Sequence, residues 1–219
     1  MSSSNQPTVK VWDPFVRIGH WLIVLGVILA FLTAEELPEL HEMIGYGIAV
    51  LVVARIMWGV VGPRYARFTD FVYRPSRVLS YLRGLFSFHA RRYLGHSPAG
   101  GAMVVVLLLS LLTVVTTGIA TDVQKENPIP KAVTSLSSTN DTSNGIAGTE
   151  NNAEQESLMQ EIHEAAANLL LLLVALHVGG VVVASIVHRE NLVRSMITGR
   201  KPAHKTPSDV EFGLSNDPK

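Results

Sequence analysis

Two histidines lie in one strongly apolar segment of this 219-residue chain. His163 and His177 are fourteen residues apart within the run IHEAAANLLLLLVALHVGGVVVASIVH. Fourteen residues make nearly four helical turns, so both side chains would leave nearly the same helix face, about 21 Å apart along the axis. An ionisable side chain inside hydrocarbon is costly unless it has a role there. The spacing therefore predicts two ligand sites, one toward each end of a membrane-spanning helix.

The composition restricts the cofactors that the chain can hold. Hydrophobic residues make up 47% of the sequence, and the 18 basic and 18 acidic residues cancel, so charge identifies no partner and we expect no nucleic acid. There is no cysteine, which excludes disulfides, iron–sulfur clusters, thiolate metal sites and covalently attached c-type haem. Any metal or cofactor must therefore be held by histidine, carboxylate or methionine.

Four hydrophobic stretches, at about residues 18–34, 43–61, 101–120 and 165–187, are long enough to cross a bilayer. They predict an all-α membrane protein with a bundle of four transmembrane helices. The first could instead be a signal peptide, but no small-residue cleavage site follows it.

The remaining segments of the predicted membrane domain, residues 10–200, connect or flank these helices. Residues 122–158, rich in Ser, Thr, Asn and Glu, predict a flexible external loop, either a tolerated insertion or a docking surface. Residues 75–92 predict an amphipathic interfacial helix on the cytoplasmic leaflet. Residues 1–9 and 201–219 are predicted to be flexible cytoplasmic tails.

Basic residues are concentrated on one side of this topology. Seven arginines lie between the second and third stretches and five lysines or arginines follow the fourth, whereas the other two connections hold two lysines among many acids. The positive-inside rule then predicts that both termini face the cytoplasm, across a bacterial inner membrane.

The topology sorts four of the eight histidines into two levels. His20 at the start of the first helix should lie level with His177, and His41 before the second helix should lie level with His163. Two axial imidazoles fill both open positions on the iron of a b-type haem, and facing helices of a bundle supply such ligands. Each pair therefore predicts a site for one haem b, although His41 taken alone is equally well an ordinary interfacial residue.

Further polar residues lie near the cytoplasmic ends of the helices. Arg55 and Arg17 are predicted to bind haem propionates, with snorkelling to the headgroups and positive-inside anchoring as the alternatives. His96 and His188 are candidates for hydrogen bonding to a quinone or relaying its protons, or are simply interfacial polar residues.

These residues lie in motifs that resemble the bacterial cytochrome b561 and nickel–iron hydrogenase b-type cytochrome family. The similar stretches run from about Val9 to Gly199 and include VWDPFVRIGHW, LHEMIGYGIAVLVVARIMWG and RYARFTDFVYRP. The resemblance implies a di-haem membrane protein that passes electrons between a quinone and a periplasmic partner such as a c-type cytochrome or a hydrogenase. It also implies the same four axial histidines, and it adds no catalytic residue.

Two other functions stay open at this point. Some members of the family oxidise superoxide at the outer haem and reduce ubiquinone, although the glutamate-rich outer surface of this chain would repel an anion. A histidine-based metal transporter is the third class, but such sites usually gather three or four ligands at one depth. The sequence leaves open the direction of electron flow and the oligomeric state, including a homodimer.

Overall fold

The computed structural model describes residues 8–87, 93, 95–126 and 144–202, without the side chains of 86, 124–126, 144–157 and 202. In chain order, the elements within these residues are β1 (Thr8–Lys10), α1 (Pro14–Thr33), α2 (Pro38–Val61), a 3₁₀ turn (Phe68–Asp70), α3 (Pro75–Phe86), α4 (Pro98–Glu126), α5 (Asn144–His188), α6 (Leu192–Thr198) and β2 (Arg200–Pro202).

Four helices are long and apolar enough to cross a membrane, and each overlaps one predicted stretch. The apolar segments are Pro14–Thr33, Pro38–Val61, Pro98–Val123 and Leu158–His188. Large apolar side chains such as Leu32, Val61 and Leu172 are exposed on their surfaces. Exposed apolar surface of this extent suits lipid rather than water. The predicted all-α fold with four membrane-spanning helices is confirmed.

Proline and polar side chains set where the helices begin. The carboxylate of Asp13 accepts a hydrogen bond from the backbone N–H of Val16 at 3.1 Å and so caps α1. A proline, whose missing N–H costs nothing at this position, is the first residue of each of the next three helices as well as of α1: Pro14, Pro38, Pro75 and Pro98.

The spanning helices pack in the order α1, α2, α4, α5. Their core contains Ile48, Val52, Leu111 and Leu170. The α1–α2 contact is close, since a Cβ added to Gly26 would lie 3.0 Å from Cγ1 of Ile48. By contrast, α1 and α5 share few backbone contacts. A loosely packed seam therefore runs between the two helices that carry His20 and His177.

The two ends of the bundle differ in charge. We call the end where α1 and α4 begin the basic end, since it carries Arg17, Arg64 and Arg67. The opposite end, where α1 connects to α2, is the acidic end, with Glu35, Glu36 and Glu39.

Helix α3 lies at the basic end and packs against α4 and α5. It is amphipathic, as the sequence predicts, because Tyr81 and Leu85 are buried whereas Arg77 and Arg83 are exposed. It ends at Phe86. Residues 88–92 of the predicted helix lie outside the described residues, and the location of α3 on a membrane leaflet remains a prediction.

The connection between α4 and α5 is shorter than the predicted loop at 122–158. Helix α4 continues to Glu126 and α5 begins at Asn144, so residues 122–126 and 144–158 are helical. The segment AEQESLMQEIHEAAANLL is rich in Ala, Glu, Gln and Leu, which favour helix at any hydropathy. Sequence polarity alone therefore gave the wrong loop boundaries. Residues 127–143 lie outside the described residues.

Each predicted tail overlaps one strand of a small sheet. Residues 8–10 and 200–202 form a two-stranded antiparallel sheet in which Val9 lies opposite Lys201 and Lys10 opposite Arg200. Strands this short have no periodic signal in a sequence, and they depend on each other for hydrogen bonds. Residues 1–7 and 203–219 lie outside the described part of the chain.

Candidate functional site

His41 and His163 face each other at the acidic end. His41 lies near the start of α2 and His163 lies in α5. Their ring centroids are 6.2 Å apart and their ring planes make an angle of 86°. Both side chains are half-buried. The structure thus brings together two residues that are far apart in the sequence and that were paired by topology.

Each of these rings is oriented by a hydrogen bond from its Nδ1. The Nδ1–H of His41 donates to the Ala30 carbonyl at 2.8 Å, and that of His163 donates to the Val114 carbonyl at 2.9 Å. The Thr117 hydroxyl lies 3.2 Å from the same nitrogen of His163. Because a carbonyl only accepts, the proton is on Nδ1 and Nε2 keeps its lone pair. This is the form in which histidine binds a metal.

A cavity of about 410 Å³ surrounds this pair and is bounded by all four spanning helices. Its volume falls in the range of small-molecule sites, roughly 300–1,000 Å³. Gly118 allows α4 to approach the ring of His163, since an added Cβ would lie 3.0 Å from its Cε1. The walls are mostly apolar and include Val27, Ala30, Ile48, Leu111 and Val115.

The polar part of the cavity lining is acidic. Glu42, Asp122 and Glu164 all line it. The Tyr46 hydroxyl donates to Oδ2 of Asp122 at 2.6 Å, which joins α2 to α4. Within the described residues, the lining contains no lysine or arginine. The site therefore presents negative charge to anything that approaches it.

His20 and His177 form the second pair, toward the basic end. Their ring centroids are 6.5 Å apart, with an angle of 67° between the planes. Trp21 makes an edge contact with His20 at 5.4 Å. A Cβ added to Gly19 or Gly179 would meet nothing within 4 Å, so the backbone beside each histidine is open. Helix α5 thus carries one histidine of each pair.

Both separations suit two imidazoles on opposite sides of one metal ion. With a ring nitrogen about 1.1 Å from its centroid and a metal–nitrogen bond of about 2.0 Å, the two centroids would be about 6.2 Å apart. The observed distances are 6.2 and 6.5 Å. At the acidic end, the apolar cavity around the rings also suits a flat apolar macrocycle such as haem. These residues therefore fit a haem with two axial histidines.

The metal-ligating side chains of the described residues lie in pairs. Among the residues that the structure describes, no three or more metal-ligating side chains gather closely enough to hold an ion. The histidines instead occur as pairs at two levels, whereas transport sites usually have three or four ligands together.

Arg17 and Arg55 contact other parts of the basic end. A guanidinium N–H of Arg17 donates to the Ile197 carbonyl, and Nε of Arg17 is buried with no partner among the described atoms. Arg55 donates to the Ala66 carbonyl at 3.3 Å and lies over the ring of Phe68, 5.4 Å from its centroid. Neither contact involves a histidine of the basic-end pair, so binding to haem propionates remains a prediction.

His96 is a core residue of the basic end. Its ring lies 4.5 Å from that of Trp12 and 4.3 Å from that of Phe71. Burial, followed by the positive charges of Arg55 and Lys201, lowers the pKa of His96 to about 3. The imidazole is therefore neutral across the physiological range, which suits packing better than proton exchange.

His188 is connected to α3 by a hydrogen bond. Its Nε2 lies 3.1 Å from the hydroxyl of Tyr81. Burial raises the pKa of Tyr81, while a hydrogen bond from Ser97 opposes this effect. The phenol therefore stays protonated and supplies the proton of this hydrogen bond when the imidazole is neutral.

Sequence reasoning named Gly118 among the small residues of the helices but missed Val114 and Thr117 on the α4 side of the acidic-end site. Val114 contributes only a backbone carbonyl, which no residue type reveals. Thr117 and Gly118, by contrast, fall in the run TVVTTG, the polar and small part of an otherwise apolar helix. Hydroxyl and glycine residues clustered within one spanning helix were the available signal.

Comparison with protein-family models gives a match described as prokaryotic cytochrome b561 over residues 11–199. Comparisons with curated proteins and with solved structures give no match. The matched region contains both histidine pairs and all four spanning helices. The chain therefore belongs to the prokaryotic cytochrome b561 family, and is a multi-pass bacterial membrane protein that binds b-type haem and transfers electrons.

Proposed function

We propose that the chain holds two b haems, one between His41 and His163 and one between His20 and His177. The main support is the acidic-end pair, whose rings face each other, with each Nδ1–H donating to a backbone carbonyl and each Nε2 keeping its lone pair. Bound haem supplies a one-electron redox centre whose axial positions are closed to other ligands. The two levels, about 21 Å apart along α5, divide the membrane crossing into shorter electron transfers.

The basic end is proposed to face the cytoplasm and the acidic end the periplasm. The distribution of lysine and arginine supports this orientation through the positive-inside rule. Green fluorescent protein fused after Lys219 should fluoresce, and alkaline phosphatase fused there should be inactive. A dark fluorescent-protein fusion together with an active phosphatase fusion would show the opposite orientation.

At the acidic end, the proposed partner is a periplasmic redox protein with a cationic face, such as a c-type cytochrome or a hydrogenase subunit. Glu42, Asp122 and Glu164 line the cavity that holds the histidine pair. Complementary charge accelerates association, and salt screens it. Electron exchange with a lysine-rich c-type cytochrome should therefore slow as ionic strength rises. Rapid quinone reduction driven by superoxide in proteoliposomes, with no such salt effect, would favour the superoxide oxidoreductase instead.

At the basic end, the proposed partner is a membrane quinone. Oxidation of a quinol releases two electrons and two protons, so a proton-accepting group is needed near the membrane surface. The His188 imidazole, hydrogen-bonded to Tyr81 at the end of α5, supports this role because an imidazole can both accept and donate a proton. His96 supports it less well, since its ring is packed between aromatic side chains.

Arg17 and Arg55 are proposed to bind the propionates of the basic-end haem. Arg17 precedes His20 by one helical turn and has an unpartnered Nε among the described atoms. A nearby cation stabilises the reduced state of a redox centre, because the centre gains an electron on reduction. Arg17→Gln and Arg55→Gln should each lower the midpoint potential of that haem, and an unchanged potential would count against the assignment.

Haem content and redox spectra test the central proposal. The purified protein should bind two b haems per chain, give a reduced-minus-oxidised spectrum of low-spin b haem, and be reduced by a quinol. One haem per chain would contradict the two-site proposal. Absence of haem, combined with uptake of zinc or copper into proteoliposomes, would support the transporter instead.

A further inference from the structure

The two ends of the described chain are joined at the basic end by a structure that we call the terminal clasp. It consists of β1, β2 and the residues that connect them to the helices, Val11, Trp12 and Gly199. The strands pair antiparallel, with Thr8 opposite Pro202. The backbone N–H groups of Val11 and Trp12 both donate to the Gly199 carbonyl, at 2.9 and 3.2 Å. The clasp therefore continues from the sheet to the start of α1.

Gly199 determines the geometry of the clasp. Its φ is +75°, a left-handed conformation that glycine adopts without strain and that commonly ends a helix. An added Cβ would lie 2.9 Å from both Nη1 of Arg17 and the Trp12 carbonyl oxygen. Arg17, from the first turns of α1, donates to the carbonyl of Ile197 in the last turn of α6. Only glycine lets these two chain segments come so close.

The side chain of Lys201 adds further contacts to the clasp. Its side chain is only 5% exposed, which is rare for lysine. The ammonium donates to the Tyr93 carbonyl at 3.4 Å and lies 6.0 Å from the centre of the Trp12 ring. A lysine buried against an aromatic ring and a carbonyl indicates a specific contact, not a loose tail.

The clasp joins two helices of the bundle that have few backbone contacts with each other. Helix α1 begins directly after the clasp, and α5 is connected to it through the short helix α6. These are the helices that share few backbone contacts and that face each other through His20 and His177. The acidic-end pair differs, because its rings are held by hydrogen bonds to α1 and α4.

We propose that the terminal clasp sets the distance between α1 and α5 and so positions His20 and His177 for their haem. The residues of the clasp are positioning residues, since they act through the helices that carry the ligands. The acidic-end site lies at the opposite end of the bundle, where its rings are hydrogen-bonded to α1 and α4, and so does not depend on the clasp. The part concerning haem rests on the proposed function, whereas the distance between the helices does not.

The first experiment measures the helix distance directly. Because the chain has no cysteine, spin labels can be attached to cysteines placed at Ile18 in α1 and Ile186 in α5, both exposed. Pulsed electron–electron double resonance should show a longer mean distance and a broader distance distribution for Gly199→Ala and for a chain ending at Gly199. Labels at Leu32 and Ile162, near the acidic end, should keep their distance. Gly47→Ala, where an added Cβ meets nothing within 4 Å, is the matched control.

The second experiment follows each haem. His177→Ala and His163→Ala assign the two ferric haem signals in the electron paramagnetic resonance spectrum. Gly199→Ala should shift or remove only the signal that His177→Ala removes. Cysteines at Lys10 and Arg200 lie directly opposite on antiparallel strands, at a separation of about 4.5–5.5 Å that a disulfide can bridge. Oxidising this pair in the Gly199→Ala protein should restore the signal, and reducing it should reverse the rescue.

The outcomes separate the two proposals. Unchanged helix distances in both Gly199→Ala and the shortened chain would overturn the role of the clasp, as would equal loss of both haem signals. A wild-type protein without two haems would contradict the proposed function, while the spin-label distances would still decide whether the clasp holds α1 against α5.

Discussion

The hydroxyl of Thr117 lies 3.2 Å from Nδ1 of His163, the same nitrogen that donates to the Val114 carbonyl. The hydroxyl donates to the Thr113 carbonyl at 2.8 Å, so its oxygen can accept a second branch of the hydrogen bond from the imidazole. Acceptors behind a ligand histidine increase its basicity and fix its orientation. The chemistry of the acidic-end site thus extends into α4, which supplies no ligand.

Thr117→Val should raise the midpoint potential of the acidic-end haem. Losing an acceptor makes the imidazole a poorer donor, which destabilises the ferric state more than the ferrous state. The rise should not exceed about 60 mV, the one-electron equivalent of a tenfold change in relative affinity. Potentiometric titration measures it, and Thr116→Val, whose hydroxyl bonds only within α4, is the control. Equal shifts in both variants would contradict the role of Thr117.

Histidine substitutions should remove the haems one at a time. His163→Ala should halve the haem content and leave the basic-end signal, and His177→Ala should leave the acidic-end signal. The reason is that the two histidine pairs have no residue in common. Haem quantification with redox spectra of both variants measures this. Loss of both haems from either variant would indicate a single coupled site.

Gly118→Ala should weaken the acidic-end site selectively. The new methyl group would lie 3.0 Å from Cε1 and 3.3 Å from Nδ1 of His163, so the ring must turn or α4 must move. Overpacking of this kind costs about 1–3 kcal/mol. Haem retention at the acidic end during detergent titration should fall, and Gly47→Ala should behave like the wild type. Normal retention in Gly118→Ala would show that the contact is not tight.

Stability should decrease in acid through His96. Its pKa is lowered to about 3 in the folded protein, against about 6.5 when unfolded, so between these values the unfolded chain binds a proton that the folded chain does not. Unfolding free energy therefore falls as pH decreases below about 6.5, by at most about 1.4 kcal/mol per pH unit. His96→Phe keeps an aromatic ring between Trp12 and Phe71 and should flatten this dependence. Thermal unfolding between pH 7 and pH 4.5 compares the two proteins, and parallel pH curves would exclude His96 as the cause.

The sequence was most informative where hydrophobicity and spacing coincide. The four spans follow from apolar length, and the pairing of His20 with His177 and of His41 with His163 follows from their depth in an up-and-down topology. Both depend on regular helix geometry, which a sequence expresses directly.

Other parts of the molecule depend on contacts between distant segments. The terminal clasp joins residues almost two hundred positions apart through backbone hydrogen bonds, and strands of three residues have no detectable period. The burial of His96 likewise depends on Trp12 and Phe71 from other segments. The polar start of α5 was interpreted as a loop because polar residues are common both in loops and in helices.

The presence of one histidine of each pair on α5 also bears on how the protein is made. Helices α1, α2 and α4 leave the ribosome first and contain His20 and His41, which under the proposed assignment are one ligand of each haem. Neither site is complete until the last span has been inserted. Cofactor loading must then follow synthesis, and a chain that stops before α5 would remain colourless. The colour of the protein would thus report that its membrane insertion is complete.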